Sequence, residues 1–405
     1  MINMLGTIFQ RAIEVLEIFE KHGHKAFIVG GAVRDYQMGR NIGDIDITTS
    51  ATPNEVLKLF AKVIPVGIEH GTVIVRYKKE SFEVTTFRVE GDYSDYRHPD
   101  HVQFVDNLEA DLARRDFTIN AMAMDRYGNI IDPFNGSSDL SKHCIRAVGV
   151  AEERFSEDPL RMMRAIRFAS QLGFVIEKET LGALCENVEL IGRIAIERIA
   201  VEFLKMFNGQ YIANGITLVT KTKMLNFFPV FKDNPRLQTK IRKHEATLFS
   251  YGELIAVLHL YDECVSIDEW VKTWKLSNQV RNEAKILSNA CKYYFENGLT
   301  KWLVYTIPPQ CDEGFIRLIT VFGNEKSLIS IEKLRNIRSE LPILSNSQLA
   351  INGKDIIELK PNYPKGPWIK QCLAEIEKNV VEAKLINNQN NIREWVKKWN
   401  PPEID

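Results

Sequence analysis

The segment from Phe27 to Ser50, FIVGGAVRDYQMGRNIGDIDITTS, decides the reading of this chain. An apolar strand runs into Gly30 and Gly31, a short helix containing Arg34 follows, and a second strand carries Asp44 and Asp46. Residues two apart on a strand project to the same side, so this spacing predicts two neighbouring carboxylates. Such a pair repels unless a cation bridges it, and hard oxygen donors beside a phosphate-binding loop favour Mg²⁺. Gly30 and Gly31 allow close backbone approach to a phosphate, with the amides of a helix start as donors. Arg34, one turn later, adds a charge-assisted bond to the same anion. The segment is neither a Walker loop, because no Gly-Lys-Ser/Thr follows, nor a dinucleotide fingerprint, because the GxGxxG spacing is absent.

Working outward, strand-length apolar runs occur at residues 26–29, 45–47, 72–77, 82–87 and 102–105, with a helical segment at 52–60 whose Pro53 suits a first turn. The first ~140 residues therefore read as a mixed α/β unit. Beyond Asp139 the strand signals fade, and residues 159–172, 191–207 and 370–383 have helical periodicity. The expected fold class is α+β, divided into a head (1–140), a helical neck (141–207), a body (208–307) and a tail (308–405).

Composition narrows the class. The chain has 405 residues with 52 Lys plus Arg against 53 Asp plus Glu, a net charge of -1, which argues against coating nucleic acid by bulk charge but permits a local basic groove. With 45% hydrophobic and 26% charged residues, disordered and membrane classes are disfavoured, and no run approaches the ~18 apolar residues of a spanning helix. The cysteines at 144, 185, 264, 291, 311 and 372 form no CxxC pair and read as reduced thiols of a cytoplasmic protein, mostly small buried hydrophobes. The N-terminus, with acidic residues at helical spacing, reads as a first helix and not a signal peptide.

GGAVRD followed by DIDITTS resembles the nucleotidyltransferases related to DNA polymerase β, specifically class II tRNA nucleotidyltransferases and bacterial poly(A) polymerases. The resemblance continues in order through EVTTFR (83–88), RRDFTINA (114–121), IDPFNG (131–136), EDPLRMMRAIR (157–167) and AIERIAVEF (195–203). It implies a polymerase-β-like head on an all-helical arm, with Asp44 and Asp46 catalytic and holding Mg²⁺. Gly31, Arg34 and Arg115 would then bind triphosphate. RRDFTINA is expected to open a helix, with Asp116 either its N-cap or a ribose contact and Asn120 on ribose or phosphate. Glu83 is either a third carboxylate or a surface ion-pair member.

In EDPLRMMRAIR, Asp158 and Arg161 at i and i+3 are expected side by side on one helix. Cytosine and adenine both offer an exocyclic amine, which a carboxylate accepts, beside an unprotonated ring nitrogen, to which guanidinium donates. Uracil and guanine invert that pattern, and a bidentate base contact is worth ~1–3 kcal/mol. Arg164 and Arg167 continue at three-residue steps and are assigned to positioning the readers or to nucleotide phosphate and primer.

The polar segment from Gly91 to Asp100, including Asp95 and Arg97, resembles the flexible loop of CCA-adding members of the family. This tips the expected activity toward complete 3'-CCA addition and repair on tRNA from CTP and ATP. An A-adding or poly(A)-adding enzyme and a noncatalytic RNA-binding relative are the alternatives, and a homodimer is left open. Lys221, Lys223, Lys232, Arg236, Lys240, Arg242 and Lys243, interleaved with Phe227, Phe228 and Phe231, suit either an RNA backbone track or an amphipathic segment packed by its aromatics. The tail stretch 352–368, NGKDIIELKPNYPKGPW, resembles the tail of the family, with Lys365 and Lys370 assigned to tRNA.

Overall fold

The computed structural model describes residues 8–91, 101–323 and 329–400. The chain forms two compact units, Met1–Arg242 and Lys243–Asp405. After a first helix, Gln10–Lys21, the first unit builds strands β1 (Ala26–Val29), β2 (Asp46–Thr49), β3 (Val63–Gly67), β4 (Thr72–Tyr77) and β5 (Glu80–Thr86). A small ribbon, β6 (Arg88–Glu90) with β7 (Val102–Phe104), follows, and β8 (Ala123–Met124) and β9 (Ile130–Ile131) complete the set discussed here. Seven of these make one sheet in the order β3-β4-β5-β2-β1-β8-β9. Within that sheet β2 and β5 run parallel, with Asp46 in register with Glu83, and the remaining pairings are antiparallel.

Alternation explains which residues turn inward. Phe82, Val84 and Thr86 of β5 and Val73 and Val75 of β4 are buried, whereas Glu83 between them is exposed. The helix Pro53–Leu59 starts where Pro53 was expected, and the Thr52 backbone N–H donates to Glu55 Oε2 at 2.7 Å. Two readings of the head need correction. Asp44 precedes β2 and is not on it, because β2 begins at Asp46. RRDFTINA opens no α-helix; its polar residues close a 3₁₀ turn, Thr118–Asn120, with the Asp116 side chain accepting from the Phe117 N–H at 2.8 Å.

The first unit continues with the helices Ala151–Glu157, Leu160–Leu172 and Ile196–Phe207. The second is buried almost throughout, with Met162, Met163, Ala165, Ile166 and Ala169 in the core. Close packing of the next segment requires a missing side chain: a Cβ on Gly209 would stand 2.2 Å from Ser170 Oγ. Phe228 and Phe231 are buried and meet Phe203 edge-to-face, so these aromatics belong to the core. Of the seven basic residues around them, all are exposed.

The second unit is helical. Its cores include Trp270 with Trp274, and Trp368, Ile376, Val380, Ile392 and Val396. Asn352 caps the helix Gly353–Leu359, and Lys365 and Lys370 are exposed. Cys291, Cys311 and Cys372 are buried, Cys144 is half-buried, Cys185 and Cys264 are exposed, and all six are free thiols. Among the described residues no helix is long and apolar enough to cross a membrane.

Candidate active site

A cavity of about 460 Å³ opens in the first unit, lined by Gly30, Gly31, Arg34, Asp46, Arg115, Asp158, Arg161, Arg164 and Arg167 among others. Of Asp44, Asp46, Gly31, Arg34, Arg115, Asp158, Arg161, Arg164 and Arg167, all but Asp44 line this one space, together with Gly30, Asp116 and Asn120. Asp44 lies two residues before Asp46 on exposed chain and adds its charge to the Asp46 environment.

The glycines sit where β1 turns into the helix Gly31–Gln37. Gly30 has φ 70°, a left-handed conformation that disfavours a side chain, and a Cβ there would stand 3.0 Å from Arg115 Nη1. Arg34 on this helix donates from Nη1 to Asn120 Oδ1 at 2.7 Å, and Asn120 Nδ2 donates to Asp116 Oδ1 at 3.1 Å. Asp116 Oδ2 in turn accepts from Arg164 Nε at 2.7 Å. This polar chain ties the glycine turn to the helix Leu160–Leu172. Burial pushes the Asp116 carboxyl up, but the Arg164 charge and the bonds from Asn120 and Arg164 prevail and bring it to about 2.

Asp46 is the opposite case. Burial, then the charge of Glu83 beside it, raise its carboxyl to about 6, with Asp44 adding to the rise and Arg115 opposing it. A buried carboxyl raised by its acidic neighbours marks a donor set short of a cation, and oxygen ligands of this kind fit Mg²⁺. Among the described residues no group of three or more His, Cys, Asp or Glu could hold a metal by itself, so a bound ion would need oxygens from elsewhere as well.

Asp158 and Arg161 depart from their expected geometry. Asp158 lies between two helices in an extended conformation, and the second helix begins at Leu160. The intervening Pro159 explains the break, since the residue before a proline avoids helical angles. Asp158 accepts from the Leu160 N–H at 3.1 Å and from Arg198 Nη2 at 2.9 Å. Arg161 donates to Glu157 Oε2 at 2.7 Å, to the Arg114 carbonyl at 3.0 Å and to the Arg154 carbonyl at 3.3 Å. Asp158 and Arg161 thus line one cavity but are anchored to different partners.

On the following turns, the guanidiniums of Arg34, Arg164 and Arg167 lie 5.2, 5.5 and 3.9 Å from the centre of the Phe168 ring. Glu202, buried on the neighbouring helix, stands 2.6 Å from Arg167 Nε and 4.0 Å from Arg164 Nη1. Burial and then Arg164 pull Arg167 down to about 10, against the pull of Glu202. Sequence reasoning passed over Arg198, Glu202 and Phe168. The i and i+4 spacing of Arg198 and Glu202 in the amphipathic helix Ile196–Phe207 was the available signal.

The site defines a class: a mixed sheet presenting acidic residues to an arginine-lined cavity is the arrangement of a nucleotidyltransferase. Comparison agrees, with residues 26–146 matching the poly A polymerase head domain, 173–234 the probable RNA and SrmB-binding site of polymerase A, and 252–396 the putative tRNA nucleotidyltransferase domain 2. The chain is 46% identical over 394 residues to the CCA-adding enzyme of Oceanobacillus iheyensis, spanning 97% of this chain and 98% of that one. It is 39% identical to the CCA-adding enzyme of Bacillus subtilis over 97% and 99% of the two chains. The crystal structure of the Bacillus stearothermophilus CCA-adding enzyme in complex with CTP superposes with a TM-score of 0.85 at 36% identity, covering 96% of each chain. The chain belongs to the family of CCA-adding enzymes.

Proposed function

We propose that this enzyme builds and repairs the 3'-terminal CCA of tRNA from CTP and ATP without a nucleic-acid template. The observation that carries this reading is the convergence of Asp46, Arg115, Asp158 and Arg161 on one cavity in a chain related over its full length to CCA-adding enzymes. The primer 3' hydroxyl oxygen attacks the α-phosphorus of the bound nucleotide, the hydroxyl proton is lost, and the bond to pyrophosphate breaks. Asp44 and Asp46 would hold Mg²⁺, which supplies activation of that hydroxyl and neutralisation of the pyrophosphate charge. Gly31, Arg34 and Arg115 hold the triphosphate. Asp158 accepts from the base amine and Arg161 donates to the ring nitrogen. Arg164 and Arg167, pinned by Asp116 and Glu202, place positive charge beside them.

We retain the division into head, neck, body and tail, the tail meeting tRNA, and a cytoplasmic location. The segment 92–100, containing Asp95 and Arg97 and read as the loop that accompanies A addition, lies outside the described residues. The exposed lysines and arginines between Lys221 and Lys243 offer backbone contacts, without help from Phe228 or Phe231, which are buried.

The test is incubation with tRNA ending before CCA and single nucleotides. Two C residues should be added with CTP alone, one A after them with ATP, and then growth should stop. A product from ATP alone on that substrate, or tails longer than three, would favour an A-adding or poly(A)-adding enzyme.

A further inference from the structure

Asp111 is fully buried and has no part in the chemistry described so far. It sits in the last turn of the helix Leu108–Ala113, and four groups converge on its carboxylate. Oδ1 accepts from Arg114 Nε at 2.9 Å and from the Arg88 backbone N–H at 3.4 Å. Oδ2 accepts from Thr48 Oγ1 at 3.1 Å and stands 3.6 Å from Arg115 Nη2. Thr48 lies two residues after Asp46 on β2, so this contact reaches the strand that opens with the catalytic carboxylate.

The other side of the arrangement faces the neck. Arg114 Nη1 is also held by Glu90 Oε1 at 3.0 Å, so its side chain is gripped by two carboxylates. Its carbonyl accepts from Arg161 Nη2 at 3.0 Å, and the adjoining Ala113 carbonyl accepts from Arg154 Nη1 at 3.4 Å. These carbonyls are the exposed acceptors at a helix C-terminus, which favour cationic donors. One buried carboxylate therefore touches the catalytic strand, the Arg115 guanidinium, and the residue whose backbone holds Arg161.

We propose that Asp111 is a positioning residue that keeps the base reader Arg161 in register with Asp46 and Arg115; this rests on the assignment of Arg161 as a reader. Without its charge, Arg114 and Arg115 lose a shared anchor and the acceptor that aims Arg161 is free to shift. The consequence is a loss of base discrimination as well as of rate, since displaced donors no longer penalise the wrong pairing edge.

The experiment compares CTP with UTP in single-nucleotide addition to tRNA lacking CCA, using wild type, Asp111→Asn, Arg114→Ala and the double variant. In each single variant the ratio of kcat/KM for CTP over UTP should fall about tenfold, with KM for CTP raised. The double variant should fall no further than the worse single one, because both act through one anchor. A purely structural role would reduce the active fraction, lowering kcat for both nucleotides equally and leaving the ratio and KM unchanged. That result in Arg114→Ala, which retains the carbonyl and Asp111, would overturn the proposal even if Asp111→Asn fails to fold. Wild type that adds no CTP would overturn the function reading and this inference together; active wild type with unchanged variant ratios would overturn the inference alone.

Discussion

Asp46 and Asp116 line the same cavity, yet one carboxyl is raised to about 6 and the other lowered to about 2. Both are withdrawn from water, so burial alone does not separate them. The difference lies in their neighbours: Asp46 faces Glu83 and Asp44, whereas Asp116 faces Arg164 and Asn120. Asp116 has its compensating charge inside the protein and serves as a fixed joint between turn and helix. Asp46 lacks enough of it, and a carboxylate left in that state is suited to a cation brought from outside. One cavity thus combines a finished electrostatic network with an unfinished one.

The largest expected effect comes from the unfinished end. Asp46→Asn should lower CMP incorporation by at least about a thousandfold, measured as single-turnover addition to tRNA lacking CCA. A residual rate within tenfold of wild type would remove Asp46 from the chemistry and erase the contrast. Next come the readers: Asp158→Ala or Arg161→Ala should reduce the preference for CTP over UTP by about 10- to 100-fold, read from kcat/KM ratios.

Stability should move in opposite directions at the two aspartates. A raised folded-state value means that ionised Asp46 is a liability above pH 6, absent below the ordinary value of 3.8. Asp46→Asn should therefore stabilise the fold at pH 7 by ~1–3 kcal/mol in urea titrations, the two proteins converging as pH falls from 6 toward 4. The depressed value of Asp116 contributes stability that is full above 3.8 and lost as pH falls toward 2. Asp116→Asn should accordingly destabilise at pH 7 by ~2 kcal/mol, with the gap closing in acid. Shifts of the same sign would show that the cavity is electrostatically uniform.

The smallest effect is a displacement of a pH profile. At low Mg²⁺, kcat/KM for CTP should fall as pH drops through about 6, where Asp46 takes up a proton. Raising Mg²⁺ should move that midpoint to lower pH, since metal and proton compete for one carboxylate. A midpoint indifferent to Mg²⁺ would separate Asp46 from the metal.

The same contrast explains what was legible in sequence. Asp46, Arg115, Asp158 and Arg161 stand in short ordered motifs that resemble those of a known family, and the structure brings all four to one cavity. The partners that set their states come from afar: Glu83 reaches Asp46 through strand register, and Arg198 reaches Asp158 from a helix 40 residues later. Nothing in the sequence around Asp111 marks it as buried, and only the packed structure shows it so. Strands of two residues, such as β8 and β9, are too short to show alternation. Asp158 was placed on a helix because its spacing to Arg161 fits one, while Pro159 determines the break between them.

The anchoring of Arg161 also fixes how much it can say. A guanidinium has five N–H groups. Among the described residues both of those on Nη1 and one on Nη2 are committed to Glu157, Arg154 and Arg114. What remains is the Nε hydrogen and one on Nη2, neighbours along a single edge. Were that edge to meet a base beside an Asp158 oxygen, it would place a donor next to an acceptor, the pattern that an exocyclic amine and an unprotonated ring nitrogen complete in both cytosine and adenine. By fastening one side of an arginine, the fold narrows what that side chain can still offer to the hydrogens on its other side.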